Sequence, residues 1–237
     1  MILATVCLPS PACGADGQQP DFSGVWTWYI ESGENPFRPL IPDLPLQPQA
    51  RQKINEYRAL VAETGDNPGG WCLGTGMPGS MLGSGGYPME IIQRPEQITI
   101  IYEAHQEIRR IYTGETRFAE EIMFPDRNGY SIGHWEGDRL IVETTHLKEQ
   151  VDQIYAHSDQ ARIIEKYHLM ETGEGKKILV AEMTMTDSLF YTEPVTATKK
   201  WLYVPDGRLL PYECNEPDWE DHLKQLRGRV ISKPPES

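Results

Sequence analysis

The sequence predicts an all-β fold, an antiparallel barrel of meander topology. Three observations predict it. From residue 89 onward, short segments rich in Val, Ile, Thr, Tyr and Trp are separated by turn signals about every 8–12 residues, the spacing of sandwiches and barrels. No helix-length apolar pattern interrupts them, which argues against a parallel βαβ architecture. A meander that closes on itself leaves no unpaired edge, which favours a barrel over an open sheet.

The elements follow in chain order. A polar stretch over residues 16–23 leads into a first strand, Phe22 to Tyr29, dense in aromatic and β-branched residues. Pro36, Pro39, Pro42, Pro45 and Pro48 forbid regular structure between them and imply an extended surface segment. Pro48 suits the first turn of a helix, and Ile54, Tyr57, Leu60 and Val61 recur at helical spacing, so 48–63 reads as one amphipathic helix. Residues 65–88 hold nine glycines among apolar side chains and no phosphate-loop signature. A loop of that length is functional or unstructured. Trp71, Leu73, Met77, Met81, Leu82 and Tyr87 favour an apolar lid or plug beside a pocket, the alternative being a passive cover.

Strands are then predicted over 89–94, 97–103, 107–112, 130–135, 139–147, 161–170, 177–186, 195–204 and 209–214. Pro95-Glu96, Glu136-Gly137-Asp138, Gly173-Glu174-Gly175 and Asp206-Gly207 supply turns. From Asn215 the chain reads as a polar tail or terminal helix. One barrel domain accounts for 16–237.

Composition restricts the function. The formal charge is −13, which repels phosphate backbones and argues against nucleic acid as a partner. No apolar run approaches the roughly 20 residues of a membrane-spanning helix. Residues 1–15, apolar and ending in Ala12-Cys13-Gly14-Ala15, read as part of a secretory signal, which predicts a periplasmic or secreted protein. Cys7 and Cys13 fall in that segment, leaving Cys72 and Cys214 either to pair in an oxidising compartment or to remain two buried thiols.

Several motifs resemble a family of exported bacterial proteins. They are Tyr87-Pro88-Met89-Glu90-Ile91-Ile92-Gln93, Ile100-Ile101-Tyr102-Glu103, Arg109-Arg110-Ile111-Tyr112, Ser131-Ile132-Gly133-His134-Trp135-Glu136-Gly137-Asp138, Leu140-Ile141-Val142-Glu143-Thr144-Thr145, and His157-Ser158 followed by Arg162-Ile163-Ile164-Glu165-Lys166-Tyr167. Cys72-Leu73 and Tyr212-Glu213-Cys214 extend the resemblance, which covers roughly residues 65–215. It implies a lipocalin-like, calycin-type barrel and export. It brings no reaction. His134 stands where that pattern more often has arginine, which puts a charge-pairing role there in doubt.

The candidate chemistry lies on strand faces. Glu165 shares a face with Ile163, Tyr167 and Leu169, so it points inward, where desolvation would raise its pKa and tune it as a general acid or base. The structural alternative is a buried Glu paired with an arginine. Arg109 and Arg110 are adjacent, so one faces inward and needs a carboxylate such as Glu143 or Glu165. Which one does so stays open. His157, His134 and His105 are candidate proton carriers near neutral pH. Glu165, His157 and His134 are the catalytic candidates. Arg109, Arg110, Tyr167, Glu143, His105, Trp135, Met81 and Tyr87 are the ligand-binding candidates. No cofactor or metal is predicted, though a barrel could gather three of His105, His134, His146 and His157 around an ion. The functional expectation is a cofactor-independent lyase, dehydratase or isomerase acting on a small apolar or aromatic substrate. The alternative is a carrier or sensor of a small hydrophobic ligand.

Overall fold

A computed structural model describes residues 19–31, 40–41, 43–83, 86–114 and 123–232. The segment read as a secretory signal lies outside them, as does most of the proline-rich stretch. Nine strands form a closed barrel in sequence order: β1 (Gly24–Trp28), β2 (Met89–Gln93), β3 (Gln97–Tyr102), β4 (Glu107–Tyr112), β5 (Tyr130–Glu136), β6 (Arg139–Thr145), β7 (Arg162–Glu171), β8 (Lys177–Thr186) and β9 (Val195–Val204). β1 closes the ring against β9, with Val25 opposite Val204 and Trp28 opposite Trp201. No helix among the described residues is long and apolar enough to cross a membrane.

One step in the ring differs from the sequence prediction. β4 and β5 run parallel, paired only at Ile111–Ser131 and Tyr112–Ile132. The other neighbours pair antiparallel. A parallel step needs a long return connection, and residues 113–129 provide it. Gly133 makes the close approach at this seam possible: a Cβ there would sit 2.9 Å from Ile111. The barrel is therefore two antiparallel arcs, β1–β4 and β5–β9, joined at two seams.

Strand alternation works as predicted around the core. In β3, Ile98, Ile100 and Tyr102 are buried and alternate with half-buried neighbours. In β7, Ile163, Glu165 and Tyr167 are buried together. Residues 209–214, expected as a strand, contain no strand. They cross the Gly-rich segment instead, joined to it by the disulfide Cys72–Cys214, whose Cα atoms are 5.5 Å apart.

Among the described residues three α-helices accompany the barrel: the predicted one from Pro48, a terminal helix from Asn215 that is one of the two readings there, and a short one in the Gly-rich segment that the sequence did not predict. Pro48 opens α1 (Pro48–Leu60), which buries Ala50 and Ile54. It docks at one end of the barrel, where Gln47 N–H donates to the Phe190 carbonyl at 2.8 Å. The Gly-rich segment forms a short 3₁₀ turn at Pro68–Trp71 and then α2 (Gly79–Gly83), of which Gly79, Ser80, Met81 and Leu82 are buried. α2 is a plug seated at the barrel end where β2 and β4 begin. Gly76, with φ +72°, lets the chain turn toward it against the Arg127 backbone, leaving no room for a Cβ. The chain ends in α3 (Asn215–Ser232).

The disulfide closes a loop of sequence separation 142. In the chain-entropy account such a link stabilises by about 2–5 kcal/mol. A Cys72→Ser/Cys214→Ser protein should unfold at a lower urea midpoint, and thiol labelling of the unfolded wild type should find neither cysteine free. An unchanged midpoint would show that the link adds nothing to stability.

Candidate functional site

The most buried polar group in the barrel centres on Arg109, which is 1% exposed, and Glu165, which is 0% exposed. Alternation along β4 turns Arg109 inward with Ile111 and leaves Arg110 outside. The open choice between the two arginines is thereby resolved. Arg109 Nη1 donates to Glu165 Oε1 at 2.9 Å, and Nη2 forms a second, closer bond to Oε2. Nη2 also donates to Thr144 Oγ1 at 2.8 Å and to Ser131 Oγ at 3.1 Å. Tyr167 O–H donates to Glu165 Oε1 at 2.7 Å. Four strands, β4 to β7, thus meet in one bidentate ion pair and its hydroxyl partners. Burial opposes the charge on Arg109, but the adjacent Glu165 carboxylate outweighs it and pushes the guanidinium pKa up. Burial raises the Tyr102 and Tyr167 phenols above their ordinary range.

Of the remaining candidates, Tyr87 and His105 share a cavity and His105 and Arg110 a cleft, while the others lie apart. Met81 is fully buried on the plug, its sulfur 3.5 Å from Tyr167 Oη. His157 is buried at the plugged end, with Nε2 3.0 Å from the Met77 carbonyl and Nδ1 3.0 Å from that of Ser158. Burial lowers its pKa, outweighing the two carbonyls. His157 therefore ties the plug loop to the 150–158 segment. His134 is exposed on β5, 3.1 Å from Glu136. Glu143 faces outward and accepts from Arg162 Nε at 2.6 Å, so Glu165 alone meets the inward arginine. Trp135 packs against Phe22, ring centroids 5.2 Å apart. Among the described residues, no three His, Cys, Asp or Glu side chains converge as metal ligands.

Two cavities lie beside the plug. A cleft of about 560 Å³ runs along the outer wall of β4, between it and residues 123–130. Ile108, Arg110 and Tyr112 form one side; Phe124, Arg127 and Tyr130 form the other. Tyr112 and Tyr130 stack at 5.3 Å. Arg127 is held by Asp152 at 3.0 Å and by the Gly74 carbonyl at 2.8 Å. A smaller cavity of about 150 Å³ is lined by Ser80, Tyr87, Tyr102, His105 and Glu107. His105 and Glu107 border both.

Several residues here were not singled out from sequence, among them Tyr102, Glu107 and Lys199, the network hydroxyls of Ser131 and Thr144, and the cleft residues Phe124, Arg127 and Tyr130. Lys199 is 2% exposed on β9, its Nζ 3.4 Å from the Leu82 carbonyl of the plug and 3.6 Å from the centre of the Trp28 ring. Burial pushes its pKa down to about 7. The signal was available: Lys199-Lys200 is an adjacent pair like Arg109-Arg110, and Val195, Ala197 and Trp201 mark the inward face.

Against known proteins, the sequence matches no family model and no curated protein. Of what the family resemblance implied, the closed β-barrel is present in this molecule.

Removing either member of the buried pair strands the other charge, so Arg109→Met or Glu165→Gln should each destabilise by about 3–5 kcal/mol. Arg109→Met with Glu165→Leu should cost much less than the sum of two single losses. Urea unfolding of the single and double variants checks this. Lys199 gives a distinct pH signature. Its pKa is lowered in the folded state from the ordinary 10.5 to about 7, so between these values the unfolded chain binds more protons. Stability from Lys199 should therefore rise as pH climbs from 7 to about 10.5. Lys199→Met should flatten that rise and increase Tm at pH 7 by about 2–4 °C for each kcal/mol gained.

Proposed function

We propose that this protein is an exported small-molecule binder, a carrier or sensor with a calycin-like barrel, whose ligand seats in the cleft along β4. The observation that carries this reading is how the polar groups are used. The acid–base alternative needs a carboxylate with an oxygen open to substrate. Glu165 has both oxygens committed to Arg109 and one also to Tyr167. His157 is buried with each ring nitrogen 3.0 Å from a backbone carbonyl, and its one N–H in the neutral form is spent on one of them. A fully satisfied buried network rigidifies a fold rather than transferring protons.

The cleft mixes apolar and aromatic walls (Ile108, Tyr112, Phe124, Tyr130) with charged and polar groups that could orient a guest (Arg110, Asp126, Arg127). Ile108 and Phe124 are exposed there at 45% and 83%. Arg110 projects between them from the outer wall, with no carboxylate partner among the described residues. The stacked Tyr112–Tyr130 pair offers an edge for a flat ring. Export is supported by the Cys72–Cys214 link, which belongs to oxidising compartments. The acidic surplus opposes a nucleic-acid partner.

The test is to incubate a trace of pure protein with a pool of small aromatic and hydroxylated metabolites and follow depletion and retention by mass spectrometry. A compound should be retained in stoichiometric amount without turnover. Arg110→Gln and Tyr130→Leu should each weaken retention by about 5-fold or more, the loss of one polar anchor or aromatic contact. Depletion far beyond the molar amount of protein, lost in Glu165→Gln, would replace this reading with the lyase or isomerase one.

A further inference from the structure

We infer that the smaller cavity beside the plug is a site for a small organic ammonium ion. It is a separate site from the cleft and does not depend on that cleft being occupied. The cavity measures about 150 Å³, several times the roughly 10–15 Å³ that one water requires. Its floor is the Glu107 carboxylate. Glu107 Oε1 accepts from Gly76 N–H at 2.9 Å and Oε2 from Ser80 O–H at 2.5 Å, one bond to each oxygen. A carboxylate has about four lone-pair sites, so acceptor capacity remains on the cavity side. One more polar atom here, His105 Nδ1, is buried with no hydrogen-bond partner; Tyr102 Oη makes no direct hydrogen bond and lies beside the Arg109 guanidinium. Tyr102 is 2% exposed, so bulk water does not satisfy it.

The walls are aromatic. Tyr87, Tyr102 and His105 line the space. Tyr212 packs edge-on against Tyr87, centroids 5.5 Å apart, and at a tilt against His105, 4.9 Å away. The Cys72–Cys214 link holds that segment in place. No lysine or arginine lines the cavity among the described residues. The nearest buried guanidinium, Arg109, is neutralised by Glu165.

A carboxylate among aromatic side chains, with acceptor capacity left and no lysine or arginine lining the space, is the chemistry that recognises alkylammonium groups. The ring faces attract the cation, and its alkyl groups suit a small enclosed space. A formal charge of −13 enriches cations near the surface and disfavours anions.

The experiment compares choline with its neutral isostere 3,3-dimethylbutan-1-ol on the full-length protein, by saturation-transfer NMR and calorimetry. Choline is expected to bind at least about tenfold more tightly than the alcohol. Tyr87→Leu, at a partly exposed position, should weaken choline by about 2–5-fold while leaving Tm unchanged. Glu107→Gln should weaken it by about tenfold or more. If Glu107→Gln fails to fold, the isostere comparison and Tyr87→Leu decide. No choline binding, equal binding of the two probes, or binding that ignores Tyr87→Leu would overturn the assignment.

Discussion

The Arg109–Glu165 ion pair is the contact on which the rest of this barrel leans. Main-chain pairing is thinnest between β4 and β5, where two positions meet in parallel register. Arg109 reaches inward from β4 on one side of that seam to Ser131 on β5, Thr144 on β6 and Glu165 on β7. Side chains thus supply much of what a longer ladder would. The same pair sets what surrounds it. With Arg109 inward, Arg110 must point out and furnish the cleft. Tyr167, bonded to Glu165, meets Met81 and so seats the plug. A buried pair of this kind is weak evidence for net stability compared with apolar packing. Its value here is positional, since it fixes which face of β4 looks in.

The plug is held by several weaker ties that agree with one another. Glu107 accepts from Gly76 and Ser80, His157 meets the Met77 carbonyl, and Lys199 reaches the Leu82 carbonyl. The disulfide anchors the segment just before it. A glycine-rich chain has the most conformational entropy to lose, so ordering it requires contacts of this number. Both cavities lie beside it, and both are bordered by His105 and Glu107.

Much of the barrel was legible in the sequence because a period of two is a strong local signal. The bounds 177–186 and 195–204 match β8 and β9 residue for residue. Ile163 and Tyr167 placed Glu165 inside for the same reason. Strand direction was less legible. The Asn128-Gly129 pair before β5 reads locally as a hairpin turn, and nothing local in the sequence says that β5 runs parallel to β4. The run 209–214 alternates like a strand but has no neighbour left in a closed ring. The site was harder still. Arg109 and Arg110 are equivalent to a local rule, and only packing separates them. The cavity over Glu107 exists because α2 folds back from the Gly-rich segment, a long-range event without a local period. Lys199 was missed although the alternation that exposed Glu165 applied to it equally.

The two-arc construction bears on how the molecule assembles. Within β2–β4 and β5–β9 the paired strands follow one another closely in sequence, whereas β1 (Gly24–Trp28) waits for β2 (Met89–Gln93). The seams differ in kind. One joins β4 to β5 across the connection 113–129, and the other joins Val25 to Val204, almost the full span of the barrel. Loop-closure entropy grows with that separation, and contacts of such range form late. Until β9 emerges, β1 presents an open edge rich in tryptophan, a template for any other strand nearby. A chain threaded through a membrane unfolded, amino end first, would hold that edge open longest, which makes the earliest residues the ones most in need of an escort.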